Sequence, residues 1–184
     1  MRHDFALHTP STAPEASQPL LEGARKAFGR VPNVLAVMAE SPVALEAYLT
    51  LGGLFEKTAF DATERHVVLQ AINAANACHY CTQAHGTLAV QVHGLDPELD
   101  RALRERRPLT DARLEALRGF ADTLVRKQGW PAEQDVADFL AAGYERGHLI
   151  EVILAAGFKT ITNYLNHIAD TPVDAAFSRL DRAA

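Results

Sequence analysis

Cysteine is scarce in this chain: two in 184 residues, both inside Cys78-His79-Tyr80-Cys81. Two cysteines so close cannot staple a fold across a long loop. A disulfide framework is therefore excluded, and metal or redox chemistry remains. Long apolar runs are missing as well. The longest, Val34 to Ala39, is six residues, against the ~20 that a membrane-spanning helix needs. There is no basic excess: 18 Lys and Arg stand against 23 Asp and Glu, for a net charge of −5. The one cluster, Arg104, Arg106 and Arg107, is too small for the basic stripe of a duplex nucleic-acid reader. No charged-then-apolar leader opens the chain, so a cytoplasmic location is expected. Aromatics make up 7%. No stretch alternates like a half-buried strand for more than four residues, which argues against β structure.

What is present is helical period and helix punctuation. The length suits one domain. Residues 1–19 carry Pro10, Pro14 and Pro19 without an apolar period. They read as an extended or mobile arm of the kind that lies on a neighbouring subunit. Residues 20–184 read as one all-α domain. Ser41-Pro42, Asp96-Pro97 and Thr171-Pro172 have the N-cap-then-proline form of a helix start. Asp61 and Glu64 have capping-box spacing, and Gly29, Gly94, Gly129 and Gly143 fall where helices end. The pattern predicts helices over 18–28, 33–39, 42–57, 62–76, 78–92, 97–105, 111–127, 132–142, 146–168 and 173–180.

Within 78–92, Cys78, Cys81, His85, Leu88 and Val92 fall on one helical stripe. It turns apolar after the histidine, so it is expected to point inward. Only a thiolate is nucleophilic, and an ordinary thiol of pKa about 8.5 is mostly protonated at neutral pH. An imidazole four residues after Cys81 is placed to take or relay that proton. A second thiol can then close a disulfide on the oxidised first. A helix start at Asn76 would add the dipole's positive end; one continuous helix over 62–92 is the competing reading. Zinc would require ligands beyond this one pair. A thioredoxin-type motif would require a βαβ setting. Inert buried thiols stay open; an all-helical dithiol site is favoured. No metal or other cofactor is expected.

The preceding helix carries a polar stripe of His66, Gln70 and Asn73. Facing the thiols it would supply relay groups; facing outward it would be an ordinary solvated face. Glu64 reads as part of the cap. In 146–168 the core stripe reads Leu149, Val152 or Ile153, Ala156, Thr160, Asn163 and His167. Its polar end makes Asn163 and His167 pocket candidates beside Gln70 and Asn73, with a plain exit to solvent as the alternative. His3, His8, His93 and His148 carry no assignment.

The run from Glu64 to His85, with its Cys-x-x-Cys-x-x-x-His core behind Asn76-Ala77, resembles the alkylhydroperoxidase D (AhpD-like) branch of the carboxymuconolactone decarboxylase family. Val31-Pro-Asn-Val-Leu35 and Asn163-Tyr-Leu-Asn-His-Ile-Ala-Asp-Thr-Pro-Val-Asp174 extend the resemblance over roughly residues 28–177. It implies an all-helical fold that forms homo-oligomers, as trimers or hexamers. It implies thiol peroxidase or disulfide reductase activity on a peroxide or disulfide, reset by a dithiol or thioredoxin-like donor. A non-catalytic redox sensor or thiol–disulfide exchange protein, and behind it a metal-binding helical oligomer, are the alternative readings. By the same resemblance Cys81 is the peroxide-reactive thiol, Cys78 resolves it, and His85 deprotonates it. The decarboxylase branch lacks the cysteine pair. The family relay commonly has a glutamate where this chain has His66, and that departure predicts a shifted pH optimum or weak peroxidase activity.

Overall fold

The computed structural model describes residues 4–177. Among them lie nine α-helices and no strand: α1 Gln18–Phe28, α2 Asn33–Met38, α3 Pro42–Phe55, α4 Ala62–Ala75, α5 His79–Gln91, α6 Pro97–Arg104, α7 Ala112–Arg126, α8 Glu133–Ala141 and α9 Arg146–Ala169. The starts follow local chemistry. Ser41 accepts from the Ala44 N–H ahead of Pro42. Asp96 does the same for Glu98, ahead of Pro97. Asp61 and Glu64 close a reciprocal capping box. Gly29 ends α1 in the left-handed region at φ 71°, where a Cβ would be strained.

α4 is the central helix and packs against α5, α6, α7 and α9. It is buried almost all round, from Glu64 to Asn73. Two apolar clusters divide the interior. One joins α4 to α7, with Phe120, Phe139 and Phe158 among its members. The other gathers α1, α2 and the start of α5 around Leu21, Leu35 and Leu45, and includes both cysteines.

Three expectations change. The helix expected over 173–180 does not form in its described part: residues 171–174 are irregular and 175–177 are a turn. The remainder lies outside the described residues. Asp174 accepts from the Asn33 backbone N–H and from the Tyr80 hydroxyl at 2.6 Å. Its carboxylate thus ties this segment to α2 and α5 rather than capping a new helix. Second, Asn76 is the C-cap of α4, not the N-cap of α5; Cys78 takes that place. Third, the buried face of α9 keeps Val152 and Asn163 of the expected stripe but runs through Ala155, Phe158, Lys159, Thr162 and Asn166, with Ala156 and Thr160 only half-buried. The segment expected as an arm runs along α2, with the His8 N–H bonded to the Ala36 carbonyl and buried Ser17 donating to the Ala39 carbonyl at 2.7 Å.

Candidate active site

The site begins at the junction of α4 and α5. α4 closes in a Schellman arrangement: the Ala77 N–H bonds the Ala74 carbonyl, and the Cys78 N–H bonds the Asn73 carbonyl at 3.0 Å. Ala77 occupies the left-handed position at φ 52°, where glycine is usual and a Cβ costs roughly 1–2 kcal/mol. Cys78 then serves as N-cap of α5 and Cys81 lies in its first turn. This break removes the continuous-helix reading. It puts both sulfurs at the positive end of the α5 dipole.

Both thiols are free and buried, and they are not equivalent. A cavity of about 450 Å³ is lined by Cys81 and His85, not by Cys78. Most of its wall is apolar, with Leu35, Leu69 and Phe158 among the lining residues. The Asn166 amide donates to Cys81 Sγ at 3.3 Å and reaches Cys78 Sγ at 3.8 Å. The Cys78 thiol donates to Cys81. Against the opposing effect of burial, that bond, the Lys159 ammonium and bonds from Thr162 and Asn163 lower Cys81 to about 5. Cys78 moves upward, because it holds its proton for Cys81 and is itself buried. The surroundings thus favour the thiolate at Cys81 and the protonated thiol at Cys78.

Lys159 is the residue the sequence reading missed. It is fully buried, and its Nζ lies 2.8 Å from His85 Nε2. A charged lysine can only donate, so Nε2 accepts and the imidazole proton sits on Nδ1. Burial, then the charges of Lys159 and His66, hold His85 well below the usual histidine range, as a neutral imidazole. The signal available in sequence was a lone lysine in the mostly apolar stretch Val152–Ile161.

The polar stripe of α4 faces inward. His66 Nε2 pairs with Asp100 Oδ1 at 3.1 Å, and the Gln70 amide donates to the same oxygen at 2.8 Å. Arg104 Nε donates to the other oxygen at 2.8 Å. From Gln70 the network continues: Asn73 donates to Gln70 Oε1, Asn163 donates to Asn73 Oδ1, and Asn76 donates to Asn163 Oδ1. This amide chain joins α4 to α9 beneath the thiols. The carboxylate at the site thus comes from Asp100 in the first turn of α6, a residue that the sequence did not single out. Glu64 is in the cap, paired with Arg113. His167 is exposed and stacks on Tyr164; it lies beyond the edge of the inward face of α9 that Asn163 marks. Val92, at the end of the thiol stripe, is exposed too. The three arginines of 104–107 each pair with a carboxylate. Among the described residues no group of His, Cys, Asp or Glu is arranged to hold a metal ion, and no helix is long and apolar enough to cross a membrane.

A buried Cys-x-x-Cys at a helix start, inside an all-helical body, defines an AhpD-like dithiol fold. The profile of the carboxymuconolactone decarboxylase family matches residues 42–123 of the chain. A peroxidase-related protein from Silicibacter sp. TM1040 superposes with a TM-score of 0.79 at 25% identity, over 95% of this chain and 92% of that one. The alkylhydroperoxidase AhpD core, a peroxidase-related protein from Ralstonia eutropha JMP134, gives 0.83 at 18%, over 94% and 93%. The debrominase Bmp8, in complex with 2,3,4-tribromopyrrole, gives 0.83 at 17%, over 100% and 98%. At such identity the last two show the shared fold alone. No curated protein matches the chain significantly.

Proposed function

We propose that the protein is a thiol-dependent peroxidase and disulfide reductase working through Cys81 and Cys78. The observation that carries this reading is the asymmetry of the pair: Cys81 borders the cavity, and Cys78 lies behind it with its proton retained. In this reading the Cys81 thiolate attacks the outer oxygen of a hydroperoxide. The O–O bond breaks, Cys81 becomes a sulfenic acid, and the departing oxygen leaves as an alcohol after taking up a proton. Cys78 then attacks the Cys81 sulfur, forming the disulfide and releasing water. A dithiol or thioredoxin-like donor reduces the pair again. His85 borders the cavity beside Cys81, and His66, backed by Asp100, completes its proton-handling wall.

A homo-oligomer belongs to the same proposal. Ile150, Ile153, Tyr164 and Ile168 leave an apolar edge of α9 more than half exposed, more than a monomer usually leaves bare on one helix.

The test is a thiol count against added hydroperoxide, with a dithiol as electron donor. The expected result is loss of two thiols per protein with turnover, no reaction for Cys81→Ser, and a trapped sulfenic acid for Cys78→Ser. Thiols that survive excess peroxide, with no dithiol turnover, would overturn the reading.

A further inference from the structure

Lysine is almost never fully buried unless it is paired, yet Lys159 is fully buried in the middle of α9. Its surroundings can be taken helix by helix. α3 brings Tyr48, and α5 brings Cys78, Cys81 and His85. From α4, Arg65 and His66 line the same cavity as Lys159, and the α6 carboxylate paired with His66, Asp100, is engaged by His66, Gln70 and Arg104. Among the described residues no carboxylate pairs with Lys159. The negative charge set against this ammonium is that of the Cys81 sulfur, which borders the same cavity. Joining Cys81 to Cys78 removes that negative charge and leaves the ammonium in a mostly apolar wall. An isolated buried ammonium gives up its proton rather than stay charged.

We propose that Lys159 is the proton carrier of the dithiol site, an ammonium in the reduced protein and a neutral amine in the disulfide form. The inference rests on the redox reading of the pair, but not on peroxide as the oxidant. With a hydroperoxide, Cys81 takes the outer oxygen and Lys159 protonates the leaving alkoxide, giving the alcohol. The Cys78 thiol proton then leaves with the sulfenic hydroxyl as water. With a disulfide oxidant, the first thiolate released takes the Lys159 proton and the second takes that of Cys78. Reduction by a dithiol returns both protons. Atoms, electrons and charge close in each case, and the buried site stays neutral throughout. His85, accepting from Lys159, is the positioning residue that keeps the ammonium aimed at the sulfur.

The experiment is the thiol–disulfide equilibrium of the full chain with glutathione, between about pH 6 and about pH 7.5, where an ordinary thiol stays protonated. Thiolate ultraviolet absorbance is followed over the same range. The expected result is a Cys81 thiolate throughout and an equilibrium constant that does not change with pH. If Lys159 kept its proton in both forms, oxidation would consume one proton from solution. The constant would then fall about tenfold per pH unit as pH rises, and the proposal would be overturned. Lys159→Arg, which cannot release its proton, should show that tenfold slope; a flat response in the variant would also overturn it. The wild-type measurement decides even if the variant fails to fold. A flat equilibrium without peroxide turnover would sink the peroxidase reading and keep this one; a tenfold slope with rapid turnover would do the reverse.

Discussion

Replacing Asp100 with Asn changes one oxygen into an amide nitrogen at almost constant volume, so it isolates the role of the charge. Asp100 is fully buried. It accepts from His66 and Gln70 on one oxygen and from Arg104 on the other, at 2.8–3.1 Å. An asparagine can keep its oxygen toward His66 and Gln70 only by turning its NH₂ onto the Arg104 N–H, donor against donor. Breaking a buried ion pair costs about 3–5 kcal/mol. The Arg104 side chain is 22% exposed and can partly recover hydration, which lowers the expected loss to about 2–4 kcal/mol. For a chain of this size that is a fall in Tm of roughly 5–15 °C. The pH dependence has a definite sign. Burial alone would raise the Asp100 pKa, but the bonds from His66, Gln70 and Arg104 hold it below the usual aspartate range. A carboxylate lowered on folding stabilises fully above its unfolded value, about 3.9, and loses that contribution as pH falls through the folded value. The gap between wild type and Asp100→Asn should therefore be constant from neutral pH to about pH 4 and close below it. A variant within about 2 °C of wild type at neutral pH would refute the reasoning.

Three further outcomes are expected. His66→Glu, which sets a second carboxylate against Asp100, should destabilise the protein in thermal melts; adding Asp100→Asn to it should cost less than Asp100→Asn costs the wild type, and simple additivity would show that the two positions do not interact. Alkylation of reduced protein by iodoacetamide should modify Cys81 first. Its rate should be level at neutral pH and fall about tenfold per unit below the Cys81 value of about 5; a single titration near 8.5 would contradict the thiolate assignment. Tyr80→Phe removes a buried donor to Asp174 and an acceptor for the Val34 N–H. It should lower the urea midpoint by an amount equivalent to about 1.5–3 kcal/mol, with an unchanged slope; an unchanged midpoint would refute it.

Much of this was readable from local chemistry. The caps at Ser41, Asp61 and Asp96 act within four residues of themselves, so their helices begin where the sequence places them. Thr171-Pro172 has the same form and starts no helix, because Asp174 is committed to Asn33 and Tyr80, more than ninety residues away in the chain. The stripe His66-Gln70-Asn73 was visible as a stripe, but its direction was not. A helix polar on one side and apolar elsewhere can face either solvent or a polar interior, and only the neighbours Asp100 and Asn163 decide.

By itself, then, the sequence determined the all-helical class, the main helix starts and the dithiol with its histidine on one stripe, since each depends on residues a few positions apart. The tertiary structure decided how that dithiol is tuned. Lys159 and Asp100 reach the thiol site from α9 and α6. Charge acts through space, so a lysine 78 positions after Cys81 adds to the hydrogen bond from Cys78 in favouring its thiolate. His85 accepts the hydrogen bond of Lys159, so the histidine that spacing placed to take or relay the thiol proton is a neutral acceptor.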